Sequence, residues 1–188
     1  MLWSRFEFHW PVDERQMLRI SRAPIHRTES RITRALEKGL AMSSQDTTQV
    51  AREILTAYST GNWTALKGLL APTAIYNELG SQRRIQGADS IVQALQGWKK
   101  AMTDSQGKVT NAFASGDTVA MQITWTGTHD GTFTGPAGSI PATGKKQTTQ
   151  AAMIVKFSGN KVSEIHHYFD MITFLQQIGA MPAMAARS

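Results

Sequence analysis

The sequence predicts an α+β domain in which three helices precede one curved antiparallel sheet. Three observations carry this. Apolar residues recur at helical spacing through residues 50–102, strict period-two alternation follows from Val119 to Trp125, and Gly-Asp and Gly-Asn dipeptides punctuate the second half as hairpin turns. Helices gathered ahead of a run of strands give an α+β layer arrangement. The sheet must curl around something, because otherwise the helices would cover it flat.

Asp46 or Thr47 is expected to cap the first helix by accepting from its exposed first-turn amides, ahead of Val50, Ile54, Ala57 and Tyr58 at helical spacing. Gly61 ends that helix. Asn62 caps a second, through Trp63, Leu66, Leu69 and Leu70, which Pro72 stops. Residues 74–79 read as a short strand. Gly87 and Asp89 open a third helix whose Ile91, Leu95, Trp98 and Met102 form one apolar stripe. Residues 108–115 form a strand, Gly116-Asp117 a turn, and the alternating residues 119–126 a half-buried strand. Residues 127–144, rich in Gly, Pro and Thr, read as a loop. Residues 147–158 and 161–170 are the last two strands, joined by Gly159-Asn160. A closing helix spans 172–178, with Gly179 after it.

The chain has 188 residues, 41% of them hydrophobic, enough for one domain with a sizeable core and too few for two. Its formal charge is +6. Eight of the twenty basic residues precede Met42 and the rest are scattered, so the charge forms no stripe for a nucleic-acid backbone. Cysteine is absent, which excludes disulfides, thiolate zinc sites and thiol nucleophiles and fits a cytoplasmic protein. No apolar run approaches the ~20 residues of a membrane span. Residues 1–45 form an irregular, Arg-rich leader with a short helix expected at 31–40. Residues 46–180 form the domain, and 181–188 a tail. Met42 opens a more ordinary N-terminus and is the expected natural start. Mass spectrometry of the native protein checks this, and a mature N-terminus well before Met42 sinks it.

On strand parity, Val162, Glu164, His166, Tyr168 and Asp170 share one face of the last strand, and Ser163, Ile165, His167 and Phe169 take the other. Asp170 sits where that strand meets an apolar stretch. It either caps the following helix or stands partly dehydrated at a pocket, where loss of water raises a carboxyl pKa and makes a better base near neutrality. His129 closes the apolar face of Trp125 and Gly127 and is either a hydrogen-bonding group for a substrate oxygen or a loop histidine. His166 and His167 adjoin, so only one can face a pocket. Two His and an Asp could suggest a metal, but their spacing is not diagnostic, and no nucleophile elbow, phosphate loop or dinucleotide fingerprint is present.

The segments at 125–135 (WTGTHDGTFTG), 140–145 (IPATGK), 160–170 (NKVSEIHHYFD) and 174–179 (FLQQIG), with those at 51–63 and 87–91, resemble the SnoaL-like polyketide cyclase (ester cyclase) family. Its fold is NTF2-like (nuclear-transport-factor-2-like). The resemblance implies a cone-shaped α+β barrel enclosing a pocket, and a cofactor-free intramolecular aldol ring closure with an aspartate as acid and base. The matching residue here is Asp170. His129, Tyr168, His166 and Asn77 are then candidates to hold the enolate oxygen, and Trp98, Trp125 and Phe133 to stack on flat rings or fill the core. Some cyclases present a histidine on the strand before the aspartate strand; Gln150 is its best polar substitute here. The expected partner is a hydrophobic, polyketide-like small molecule, with no metal or cofactor, no nucleic acid and no membrane. Two other readings share the fold: an epoxide-hydrolase-like enzyme and a non-catalytic binding or dimerisation module. Ile165 and Phe169, placed outward, point to a homodimer.

Overall fold

The structure, a computed structural model, describes residues 43–135 and 138–181. The chain divides into two units, Met1–Lys38 and Gly39–Ser188, and every described element belongs to the second. The leader helix, the Met42 start and most of the tail lie outside the described residues. No helix among the described residues is long and apolar enough to cross a membrane.

Helix α1 (Ser44–Thr60) begins one turn earlier than its apolar stripe. Its N-cap is Ser43, not Asp46 or Thr47: Ser43 accepts from the Asp46 amide, and the Asp46 carboxylate accepts in return from the Ser43 amide. Gly61 closes the helix in the left-handed region at φ 68°. Asn62 caps α2 (Trp63–Leu69) by accepting from the Ala65 amide at 3.0 Å. The helix runs straight into strand β1 (Leu70–Glu78), so Pro72 lies in a strand instead of ending a helix. Lacking an N–H, Pro72 sits where β1 loses register with its neighbour, between Leu70 and Ile75.

A 3₁₀ turn (Leu79–Ser81) leads to β2 (Arg83–Gln86), an edge strand that the sequence did not signal in four mostly polar residues. Helix α3 (Ala88–Ala101) buries Ala88, Ile91, Val92 and Ala101. Strands β3 (Gln106–Ser115) and β4 (Thr118–Thr128) meet at Gly116-Asp117 as expected. Part of the expected loop is a separate two-stranded hairpin, β5 (Phe133–Gly135) and β6 (Gly138–Ile140). Strands β7 (Lys146–Ser158) and β8 (Lys161–Phe169) and helix α4 (Met171–Gln177) complete the order.

The main sheet runs β2-β1-β8-β7-β4-β3. It is mixed, not purely antiparallel: β1 pairs with β8 in parallel, because β8 returns from the far half of the chain to lie beside β1. Helices α1 and α3 close over the curled inner face. There Ile54, Leu55, Ile91, Val119, Met121, Ile123, Val155 and Ile165 form the core, each nearly or fully buried.

Strand β8 departs from regular alternation at one point. Phe157 pairs with Val162 and the adjacent Lys156 with Glu164, so Ser163 is an extra residue, a β-bulge. Val162 is buried before it, and Ile165 and His167 are buried after it. The bulge therefore reverses the parity read from the sequence. Ile165, His167 and Phe169 point inward and Glu164, His166 and Tyr168 outward. The expectation of an outward Ile165 and Phe169, and with it the ground given for a homodimer, does not hold. Deleting Ser163 removes the extra residue and leaves Val162, Ile165 and His167 inward by regular alternation, whereas inserting one alanine between Glu164 and Ile165 turns the Ile165–His167 face into water. The insertion is expected to cost about 3 kcal/mol or more in urea unfolding, the Ser163 deletion clearly less, and Ser163→Ala, which keeps the residue count, stays within about 1 kcal/mol of the wild type.

Candidate functional site

Between the helices and the inner face of the sheet lies a cavity of about 70 Å³. Its apolar wall comes from Ile54 and Leu55 of α1, Leu95, Trp98 and Met102 on and just after α3, Met153 of β7, Ile165 and Phe169 of β8 and Phe174 of α4. The polar groups that reach it are few, and each is built into a defined contact.

Tyr76 of β1 and His167 of β8 meet diagonally across the parallel pair, with Tyr76 Oη 2.7 Å from His167 Nδ1. The other imidazole nitrogen, Nε2, lies 3.1 Å from Trp125 Nε1. An indole N–H only donates. His167 Nε2 is therefore the acceptor, the ring is neutral, and its proton sits on Nδ1 and is donated to Tyr76. The Tyr76 hydroxyl accepts there and keeps its own proton free, with no protein acceptor among the described residues. Burial pushes His167 down to about 4. Burial, then the charge of Glu78, holds the Tyr76 hydroxyl well above its ordinary range. Trp125 is fixed by what lies around it: its ring meets Tyr58 edge-on at 5.2 Å, and a Cβ on Gly107 would stand 2.7 Å from it.

Two residues along β1, on the same face as Tyr76, Glu78 is 1% exposed. Its Oε1 accepts from Trp98 Nε1 at 2.6 Å, and its Oε2 from Arg83 Nε at 2.7 Å and from the Ser81 hydroxyl. The Arg83 guanidinium reaches Oε2 through a second nitrogen at 2.6 Å while its own side chain stays 29% exposed. This is a buried carboxylate with its charge matched from the solvent side. The Trp98 ring that holds Oε1 is boxed by Phe133 at 4.6 Å, Phe174 at 5.5 Å and Phe169 at 5.9 Å. A third pair, Tyr58 and Ser105, shares a 2.8 Å hydroxyl contact, and burial pushes Tyr58 up to about 12. A fourth joins Thr149, which donates to Gln147 Oε1 at 2.6 Å.

The structure redistributes the residues expected at the site. Trp98 and Trp125 line the cavity. Phe133 stands behind Trp98 and not in the lining. Asp170 does not face the cavity. It is exposed and caps α4, its two oxygens accepting from the Thr173 amide at 2.9 Å and hydroxyl at 2.6 Å. Those hydrogen bonds lower its carboxyl below the usual range, the opposite of what a base near neutrality needs. His166 and Asn77 lie on the outer face, both against Glu164, at 2.8 and 3.2 Å. Tyr168 is 47% exposed beside His166. Gln150, also exposed, accepts from Thr124 on the outer face. His129 is fully buried outside the lining; its Nδ1 lies 3.1 Å from the Thr143 hydroxyl, and burial lowers its pKa.

The residues missed are Tyr76, Glu78, His167, Tyr58, Ser105, Gln147 and Thr149. Parity was a usable signal for Gln147 and Thr149, which share a face with Met153 and Val155. It misled for His167 because of the bulge.

An apolar hollow under a curled sheet, closed by helices and furnished with a few hydrogen-bonded polar groups, defines the NTF2-like class of α+β folds. Solved structures share it. AclR from Streptomyces galilaeus, described as a hydroxylase, is 24% identical with a TM-score of 0.66, over 77% of this chain and 87% of that one. A protein from Acidithiobacillus ferrooxidans described as a polyketide cyclase is 24% identical with a TM-score of 0.62, over 75% and 100%. An NTF2-like protein from Burkholderia xenovorans is 17% identical with a TM-score of 0.57, over 73% and 99%. The comparison with curated proteins gives no match. The profile of the SnoaL-like polyketide cyclase family matches residues 48–178. The chain belongs to that family.

The neutral, buried His167 carries a pH signature. Its pKa is lower folded than unfolded, so as pH falls the unfolded chain takes up the proton first. The stability it contributes is complete above pH 6.5 and is lost progressively down to about 4. The span corresponds to about 3 kcal/mol, and His129 adds to it with the same sign. Urea unfolding followed from pH 7 to 4 is expected to show this fall, and His167→Gln to flatten most of it while lowering stability at pH 7.

Proposed function

We propose that the cavity carries out cofactor-free proton transfer next to a carbonyl of a small, hydrophobic, polyketide-like substrate, leading to intramolecular aldol ring closure. Glu78 replaces Asp170 as the acid/base. Its Oε2 is taken by Arg83 and Ser81, but Oε1 has one donor, Trp98, and a carboxylate oxygen accepts more than one. Glu78 Oε1 takes the proton from the carbon beside the substrate carbonyl. The C–H electron pair moves into the new C=C bond as the carbonyl oxygen becomes an enolate. The free Tyr76 proton donates to that oxygen. The enolate carbon then forms a bond to a second carbonyl carbon of the same molecule, and the resulting alkoxide recovers the proton from Glu78. Atoms and charge balance with no further reagent.

The observation that carries this reading is the directed chain from Trp125 N–H through His167 to Tyr76. Each link polarises the next, and the last proton is delivered into an apolar hollow where a hydrogen bond to developing charge is strong. A fixed donor of this kind costs no reorganisation when the enolate forms. The Arg83–Glu78 pair at the same wall favours a second reading, carboxylate activation of water on an epoxide.

The test is exchange of α-protons for deuterium in a panel of one- and two-ring 1,3-diketones, followed by NMR. The wild type is expected to accelerate exchange. Glu78→Gln is expected to lower it by about 100-fold or more, and Tyr76→Phe by about 100-fold. Asp170→Asn, with its cap retained by the amide oxygen, is expected to stay within about threefold of the wild type. Equal exchange by Glu78→Gln and wild type would eliminate the assignment.

A further inference from the structure

One polar group on the cavity wall has no part in the chemistry above. Gln147 is 4% exposed and Thr149 likewise, and both line the cavity. The Thr149 hydroxyl donates to Gln147 Oε1 at 2.6 Å, which fixes which way the amide points: the oxygen is engaged within the wall and the nitrogen is left. Gln147 Nε2 has no hydrogen-bond partner among the described residues, and it keeps some open surface on a residue that lines the cavity. A buried amide with two free N–H groups is costly unless something accepts from them.

Its position separates it from the Tyr76–His167 centre. Met153 pairs with His167, and Gln147 precedes Met153 by six residues on the same face of β7, three pleat repeats along the strand. Between them Met153 and the Trp125 ring, set opposite Thr149 on β4, present an apolar surface. The wall thus offers two neutral donors, the Tyr76 hydroxyl and the Gln147 amide, with an apolar stretch between.

We infer that Gln147 forms a second oxygen-binding subsite, and that the cavity takes uncharged ligands with an acceptor oxygen at each end of an apolar skeleton. A carbonyl suits the amide: it accepts from both N–H groups and brings no charge that the wall would have to neutralise. An ammonium group is disfavoured there, since the two amide N–H groups repel it and Gln147 Oε1, already accepting from Thr149, has at most one lone pair to offer. This rests on Tyr76 holding the first oxygen, as proposed above, and the two assignments separate experimentally.

The test compares matched ligand pairs by isothermal titration calorimetry: phenol against 4-hydroxyacetophenone, and 2-naphthol against 6-acetyl-2-naphthol. In the wild type the added carbonyl is expected to tighten binding by about tenfold in at least one pair. Gln147→Leu is expected to abolish that advantage and leave the parent phenol's affinity within about twofold. Gln147→Met, which keeps the length and removes the donors without adding a charge, is expected to do the same, which guards against a packing defect in the Leu variant. Tyr76→Phe is expected to weaken both members of a pair and preserve the ratio between them. A carbonyl advantage that survives both Gln147 variants, or none in the wild type, overturns the subsite. Unchanged phenol binding by Tyr76→Phe overturns the Tyr76 assignment and leaves the Gln147 result to be read by its own ratio.

Discussion

The site depends on Ser163, present in the strand, being bulged out of the pairing and not counted in the alternation. Without the bulge at Ser163, strand β8 would continue the alternation that Val162 begins, and the imidazole of His167 would stand on the solvent face. With it, Val162 seals the bottom of the core while Ile165, His167 and Phe169 turn toward the cavity. A single bulge thus lets one short strand serve two ends of the hollow that require opposite phases. It also moves Asp170 outward, where its carboxylate does the ordinary work of a helix cap.

This explains which parts of the protein could be read from the sequence. Helices α1 to α3 were legible because their apolar stripes are local signals, as is the Asn62 cap of α2, while the cap of α1 was placed at least three residues late. So were β4 and β7, whose alternation runs unbroken for many residues. The family motifs gave the fold. Strand β2 was silent because its four residues carry little apolar pattern, and β5–β6 because short hairpins rich in Gly and Thr look like loops. The parallel partnership of β1 and β8 could not be seen, since no local feature reports a neighbour so distant in the chain. The site suffered most. Trp98 and Trp125 were found as aromatic residues on apolar faces, but His167, Tyr76 and Glu78 depend on register, and one misplaced phase on β8 exchanged His167 for His166 and Asp170.

The wall of the cavity shows how such polar groups are tolerated in an apolar interior. None of its charges stands alone. Glu78 is answered by Arg83 and neutral donors, and His167 remains uncharged because the Trp125 indole can only donate to it. The groups that retain bonding capacity, Tyr76 and Gln147, each have one side satisfied by protein and the other turned to the hollow. Orientation is thereby settled before any ligand arrives, and little conformational entropy remains to be lost on binding.

The sheet order has a consequence for how the chain is made. Among the described residues, strand β8 alone links a β2–β1 pair to a β7–β4–β3 triplet, and it is the last of the described strands. Until it leaves the ribosome, β1 and β7 each present an open row of backbone donors and acceptors, the arrangement most prone to pairing with a neighbouring chain. Both open rows are covered only when the closing strand is inserted, and the same insertion brings His167 and Phe169 to the pocket.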